Sequence, residues 1–114
     1  MSTVAQLCEG AGFSRAILDA KGENREVHSV YCCDLLSAAM GNAPAGCAWV
    51  TVMGNVNVVA VAALADVACV VVADGADIDP RAADKAAEQG VSMLRSTQPI
   101  FETALAINKI ISMV

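Results

Sequence analysis

The 114-residue chain is short of charge: 17% of its residues are Asp, Glu, Lys or Arg, against 56% that are hydrophobic. An ordinary soluble domain is about 25% charged and about 45–50% apolar. Lys and Arg number 7 against 12 Asp and Glu, a net charge of −5, and no basic cluster occurs. Nucleic acid demands Lys and Arg against its phosphates, so it is excluded as a partner. The only histidine, His28, lies within an apparent strand with no nucleophile or metal marked beside it, and it reads as a structural or surface residue. No glycine-rich phosphate loop is present; Gly54 has neither the G-x-x-x-x-G-K nor the G-x-G-x-x-G spacing. The opening MSTVAQLCEG lacks the basic flank and apolar run of a secretory signal. Five cysteines (Cys8, Cys32, Cys33, Cys47 and Cys69) are an odd number without metal-knuckle spacing. Several sit in apolar segments as small hydrophobes, a pattern suited to a reducing cytoplasm. Asp74, Asp77 and Asp79 lack the spacing of a calcium loop and read as a solvated turn. No constellation of acid, base and nucleophile emerges, so no enzyme, metal or cofactor is expected.

What the chain has in excess is apolar surface. Its length allows one domain, residues 1–114, whose high surface-to-volume ratio cannot hide so much hydrocarbon alone. A membrane or a partner must take the remainder. The stretch from Val56 to Ala73 is about as long as a spanning helix needs. Asn57 and Asp66 interrupt it, and a carboxylate near its middle is costly in lipid. It divides at Asp66 into an alanine-rich half and a valine-rich half, a helix followed by a strand. A protein surface is therefore expected to cover the excess, and no membrane.

Hydrophobic periodicity and turn residues predict a short helix over Thr3–Glu9, a strand over Arg15–Leu18 and a charged turn from Asp19 to Glu26. A strand follows over Val27–Tyr31, then a helix over Leu35–Met40 with Asp34 as its N-cap. The pattern then becomes regular: strand Ala48–Met53, helix Val56–Leu64, strand Val67–Val72, helix Pro80–Gln89 behind an Asp79 cap and ended by Gly90, strand Val91–Leu94, and helix Pro99–Met113. Alternating strands and helices with short connections imply parallel strands with helices on both faces, a three-layer α/β/α fold on a small, mostly parallel sheet. Two continuously apolar strands suit a sheet covered on both sides.

Three segments in order, Val27-His-Ser-Val-Tyr-Cys-Cys-Asp-Leu-Leu-Ser37, Gly46-Cys-Ala-Trp-Val-Thr-Val-Met-Gly-Asn-Val-Asn-Val-Val-Ala-Val-Ala-Ala-Leu64 and Ala86-Ala-Glu-Gln-Gly-Val-Ser-Met-Leu-Arg-Ser-Thr97 running on to Phe101-Glu-Thr103, resemble the DRTGG domain family. The likeness covers nearly the whole chain. It implies a fold related to the N-terminal domain of HPr kinase. DRTGG domains elsewhere accompany CBS domains in regulatory pyrophosphatases or the non-catalytic part of phosphate acetyltransferases. Stand-alone relatives are encoded near iron-hydrogenase and signalling proteins. The resemblance thus implies regulation or assembly, around hydrogenase or energy metabolism, with a signalling or metabolic protein as a further partner. The chain departs from the family's naming motif: Asn55-Val56 stands where many members carry Asp-Arg, and Ala73-Asp74-Gly75 where they carry Thr-Gly-Gly.

In a parallel α/β sheet, ligands gather at the carboxyl ends of strands. Those ends hold Asp34, Gly54, Asn55, Asn57, Asp74, Gly75, Ser96 and Thr97, enough polar groups to hold a small anionic or nucleotide-like metabolite. The plainer reading has Asp34, Asn57 and Thr97 capping helices and the two glycines making turns. Cys32 and Cys33 leave a strand on opposite sides, which makes a disulfide between them awkward. Cys33, next to a helix start, is the candidate reactive thiol. Trp49, Val50 and Val52 are expected in the core. The helix Val56–Leu64 is apolar on nearly every face, so a homodimer built on it is expected, with the C-terminal helix as second choice.

Overall fold

The computed structural model describes residues 2–113. In chain order these form β1 (Ser2–Thr3), α1 (Val4–Ala11), β2 (Ser14–Ile17), α2 (Ala20–Glu23), β3 (Glu26–Val27), β4 (Ser29–Cys32), α3 (Leu36–Asn42), β5 (Cys47–Thr51), α4 (Val56–Ala65), β6 (Cys69–Val72), α5 (Pro80–Gln89), β7 (Met93–Arg95) and α6 (Ile100–Ile111). The main sheet has the order β2-β7-β6-β5-β4, and β1 pairs with β3 in a separate two-stranded ribbon. Strands β4 to β7 are parallel, while β2 runs antiparallel along β7. This is the expected α/β architecture on a mostly parallel sheet.

The sheet is covered on both faces, and strand alternation decides which side chain goes where. Cys47, Trp49, Val70, Val72 and Met93 pack with Ala39 of α3, with α4 and with Ala82 and Ala86 of α5. Their neighbours Ala48, Val50, Cys69, Val71 and Leu94 pack on the other side with Leu7 of α1 and Ile107 of α6. One layer is therefore α3, α4 and α5; the other is α1 and α6. The β5–α4–β6 and β6–α5–β7 units step across the sheet in one direction, so right-handed crossovers deliver their helices to the same face.

Local chemistry sets the helix ends. Thr3 and Gln6 form a reciprocal capping box at α1. The Asn55 carboxamide accepts from the Val58 N–H at 3.1 Å and starts α4. Asp66 stops α4 in the left-handed region with φ 59°, a conformation that aspartate tolerates better than most residues. Asp79 and Pro80 open α5 as expected.

Several expectations are corrected. The Val27–Tyr31 segment is two strands, β3 and β4, separated at His28, because each pairs with a different partner. The charged turn from Asp19 contains the helical turn α2, capped by the Asp19 carboxylate on the Gly22 N–H at 2.7 Å. Helix α3 begins at Leu36 with Leu35 as an uncapped first residue, so Asp34 is not its N-cap. Val52 lies past the end of β5 and is 36% exposed rather than buried. Trp49 and Val50 are fully buried as expected.

Candidate functional site

The carboxyl ends of β4 to β7 lie along one rim of the sheet, and hydrogen bonds tie their loops together pair by pair. The Asp34 carboxylate accepts from the Thr51 hydroxyl at 2.7 Å and from the Val52 N–H at 2.9 Å, fastening the loop after β4 to the loop after β5. The Gly54 carbonyl accepts from the Asp79 N–H at 2.8 Å, fastening the second loop to the third. A Cβ on Gly54 would lie 2.3 Å from the Asp77 carbonyl oxygen, so only glycine permits that approach. Asp74 and Gly75, both at positive φ, donate their N–H groups to the Gln98 and Ser96 carbonyls at 2.6 and 2.9 Å and join the third loop to the fourth.

Arg95, which sequence reasoning passed over, strengthens this last junction. Its guanidinium donates to the Ala76 and Gly75 carbonyls at 3.1 and 3.0 Å and reaches the Asp77 carboxylate at 3.4 Å. A single arginine at a strand end gives no signal by composition; only the turn at Gly75 bends those carbonyls toward it.

The expected site residues therefore divide. Asp34, Gly54, Asn55, Gly75 and Ser96 serve the rim itself: the Ser96 hydroxyl pairs with that of Thr103 at 2.8 Å and accepts from the Gln98 N–H at 3.1 Å. Asn57 is exposed in the first turn of α4 and is not the cap, which is Asn55. Thr97 is exposed and caps nothing; Pro99 occupies the N-cap position of α6 without a side-chain bond. Asn57, Asp74 and Thr97 keep side chains uncommitted to any described hydrogen bond. Asn55→Ala should cost about 1 kcal/mol through the lost cap. Denaturant melts will show the loss as an earlier midpoint at unchanged slope.

The cysteines also divide. All five are free. Burial pushes the Cys47 thiol up from 9.0 to about 11 and that of Cys69 higher still. A thiol whose pKa is raised by folding contributes stability that is complete below the unfolded value near 9 and lost as pH rises toward 11. Cys32 is exposed as a residue, yet partial burial of its thiol and then the Asp34 carboxylate raise its pKa. The Cys33 sulfur donates to the Leu35 carbonyl at 3.3 Å and accepts from the Leu35 N–H at 3.4 Å. Alkylation near neutral pH should label Cys32 and Cys33 first, with Cys8, Cys47 and Cys69 protected until unfolding. Peptide mapping over time reads the order, and early labelling of Cys69 would contradict the packing.

The concave surface lies at the opposite edge, where β6 and β7 begin. A cavity of about 240 Å³ is lined by residues that include Ile17, Leu18, Asp19, Ala86, Val91 and Ser92. Beside it, one of about 210 Å³ is lined by residues that include Asp19, Lys21, Gly22, Arg25, Gln89 and Ser92. Among the described residues no group of three or more His, Cys, Asp or Glu side chains could hold a metal, and no helix is long and apolar enough to cross a membrane.

A family model for the DRTGG domain matches residues 14–110. No protein of curated function matches the sequence. Among solved structures, the fold is similar to the CBS and DRTGG domains of the regulatory region of Clostridium perfringens pyrophosphatase, crystallised with its activator diadenosine tetraphosphate. The TM-score is 0.73 at 9% identity, over 96% of this chain and 46% of that one. The chain thus spans about half the length of that regulatory region. At such identity the likeness is one of fold.

Proposed function

The chain belongs to the DRTGG domain family, and from that premise we propose that it is a non-catalytic regulatory module that acts as a cytoplasmic homodimer joined through α4. One contrast carries the reading. Helices α3, α4 and α5 form a single layer, and α5 turns Arg81, Asp84, Lys85 and Glu88 outward, as a helix facing water should. Its neighbours do not. Neither α3 nor α4 contains a charged residue. Their outer surface carries Leu64, 71% exposed, with Leu35 and Met40 at 63% and 53%. Val56, Ala60, Ala63 and Leu64 fall along one exposed stripe of α4. Their spacing places them on the same face.

The two alanines let a second backbone come close, and Val56 and Leu64 would flank the crossing. A two-fold axis uses the same stripe twice and so needs no second complementary surface. In the dimer α3 and α4 would be covered and α5 would stay wet. The partner that such a module serves is a signalling or metabolic protein, in signalling around hydrogenase or energy metabolism.

Light scattering at micromolar concentration should give about twice 11.7 kDa. Leu64→Glu places a charge in the stripe without touching the core and should restore the monomer mass, with a Tm that no longer rises with protein concentration. A wild-type mass near 11.7 kDa that persists on concentration would sink the dimer.

A second reading makes the rim a sensor for a small anionic or nucleotide-like metabolite. Asn57, Asp74 and Thr97 favour it, since they are exposed there and uncommitted, and a regulatory region of similar fold carries diadenosine tetraphosphate. A thermal-shift screen against nucleotides and phosphorylated metabolites tests it. A ligand at a hundredfold its Kd adds about 2.7 kcal/mol, and Asp74→Ala should remove the gain.

A further inference from the structure

The two cavities at the amino ends of β6 and β7 adjoin each other, and we propose that they form one binding site for a free α-amino acid with an apolar side chain. Asp19, Gly90 and Ser92 line both cavities, so these residues stand at the junction. On one side the wall is hydrocarbon, from Ile17, Leu18, Ala86, Ala87 and Val91. On the other it carries the cations of Lys21 and Arg25 and the amide of Gln89.

Ser92 is the residue that the scaffold does not explain. It is 6% exposed. Its hydroxyl makes no hydrogen bond to any described residue, whereas the other buried hydroxyls, those of Thr51, Ser96 and Thr103, all do. Every enclosed polar side-chain atom among the described residues has a partner, so the Ser92 oxygen faces the open space of the cavities. Here it is the polar atom at the point where the two cavities meet.

The charges choose the ligand class. Arg25 is already held by Asp66, through one nitrogen to the carboxylate at 3.0 Å and another to the carbonyl at 2.9 Å. Asp19 offsets Lys21, so the site has no net positive charge to favour a plain anion. It offers separated opposite charges with an apolar recess beside them. A zwitterion matches this pattern: its carboxylate toward Lys21, its ammonium toward Asp19, its side chain against Ile17, Leu18 and Val91. Ser92 would meet the carboxylate.

Asp19→Asn separates binding from structure, because asparagine caps a helix as well as aspartate does but cannot hold an ammonium. Isothermal titration and amide chemical-shift mapping are run on the full chain with leucine and phenylalanine as probes. Saturable binding should perturb residues 17–22 and 86–92. Asp19→Asn and Ser92→Ala should each weaken it about tenfold, the scale of one lost charge-assisted or neutral hydrogen bond. The Tm of both free variants should stay at the wild-type value. The 2-hydroxy acid analogue of leucine should bind wild type as weakly as leucine binds Asp19→Asn. The proposal is overturned if neither amino acid binds saturably at millimolar concentration, or if the shifts cluster at Asn57, Asp74 and Thr97. It is also overturned if the 2-hydroxy acid matches leucine. None of these results bears on the α4 dimer, which light scattering decides separately.

Discussion

Val50→Asp should abolish folding. Val50 is fully buried on β5, the strand with β4 on one side and β6 on the other, beneath the α1 and α6 layer. A carboxyl group there finds no donor of its own and must either stay charged in hydrocarbon or take up a proton. Full burial raises a carboxylate pKa by about 3–5 units. Taking up a proton at pH 7, about 3 units above the ordinary aspartate value near 3.9, costs about 4 kcal/mol at about 1.4 kcal/mol per unit. The whole stability of a small domain is about 5–15 kcal/mol, and the lost valine packing adds to the deficit. Circular dichroism should show no cooperative melt. A soluble Val50→Asp protein with a sharp transition would refute the placement of β5 inside the sheet, between β4 and β6.

Trp49→Ala should leave the chain folded but much weaker. The side chain is fully buried on the α3–α4–α5 face, and its indole N–H donates to the Cys33 carbonyl at 2.9 Å. Truncating a buried tryptophan costs about 3–5 kcal/mol. At about 4 °C per kcal/mol for a domain of this size, Tm should fall by roughly 12–20 °C. Trp49→Phe keeps the larger part of the volume but loses the N–H and part of the ring system, so it should cost less, about 2 kcal/mol. If the two variants melt together, the hydrogen bond and not the ring volume carries the effect, and the packing argument fails. Because the indole also holds the backbone at Cys33, Trp49→Ala should speed alkylation of that thiol.

The parts of the fold legible in the sequence were those fixed by patterns within one segment. The apolar runs of β5 and β6, the Asp79-Pro80 start of α5 and the Gly90 stop all act on their own residues, and each element is found where expected, with β5 ending two residues early at Thr51. What could not be read depends on segments far apart. β2 is antiparallel because it returns along β7, a pairing that nothing in Ser14–Ile17 encodes. Asp34 precedes a helix and looks like a cap, but Thr51 and Val52 offer its carboxylate better donors from the next strand. The same holds for the site. The eight residues expected at the strand ends do share one rim, as the topology requires, yet most are spent in holding it together. The cavities at the other edge are built by α2, hidden in the sequence within a charged turn, and by a serine with no motif around it.

The pairing of β2 with β7 also dictates an order of assembly. Strands β4, β5 and β6 follow one another in the chain and in the sheet, so each finds its neighbour soon after it is made. β2 cannot: it pairs with β7 alone, and its helix α1 packs against α6. Closing a contact between distant segments costs chain entropy before any packing repays it, and such contacts form late. During synthesis the N-terminal helix and strand must therefore wait, apolar face uncovered, until the C-terminal helix has left the ribosome. A truncation that removes α6 would expose Val4 and Leu7 as well as the sheet beneath them, so damage at one end of the chain is felt at the other. The earliest strand of the sheet to be synthesised is the last to find its place.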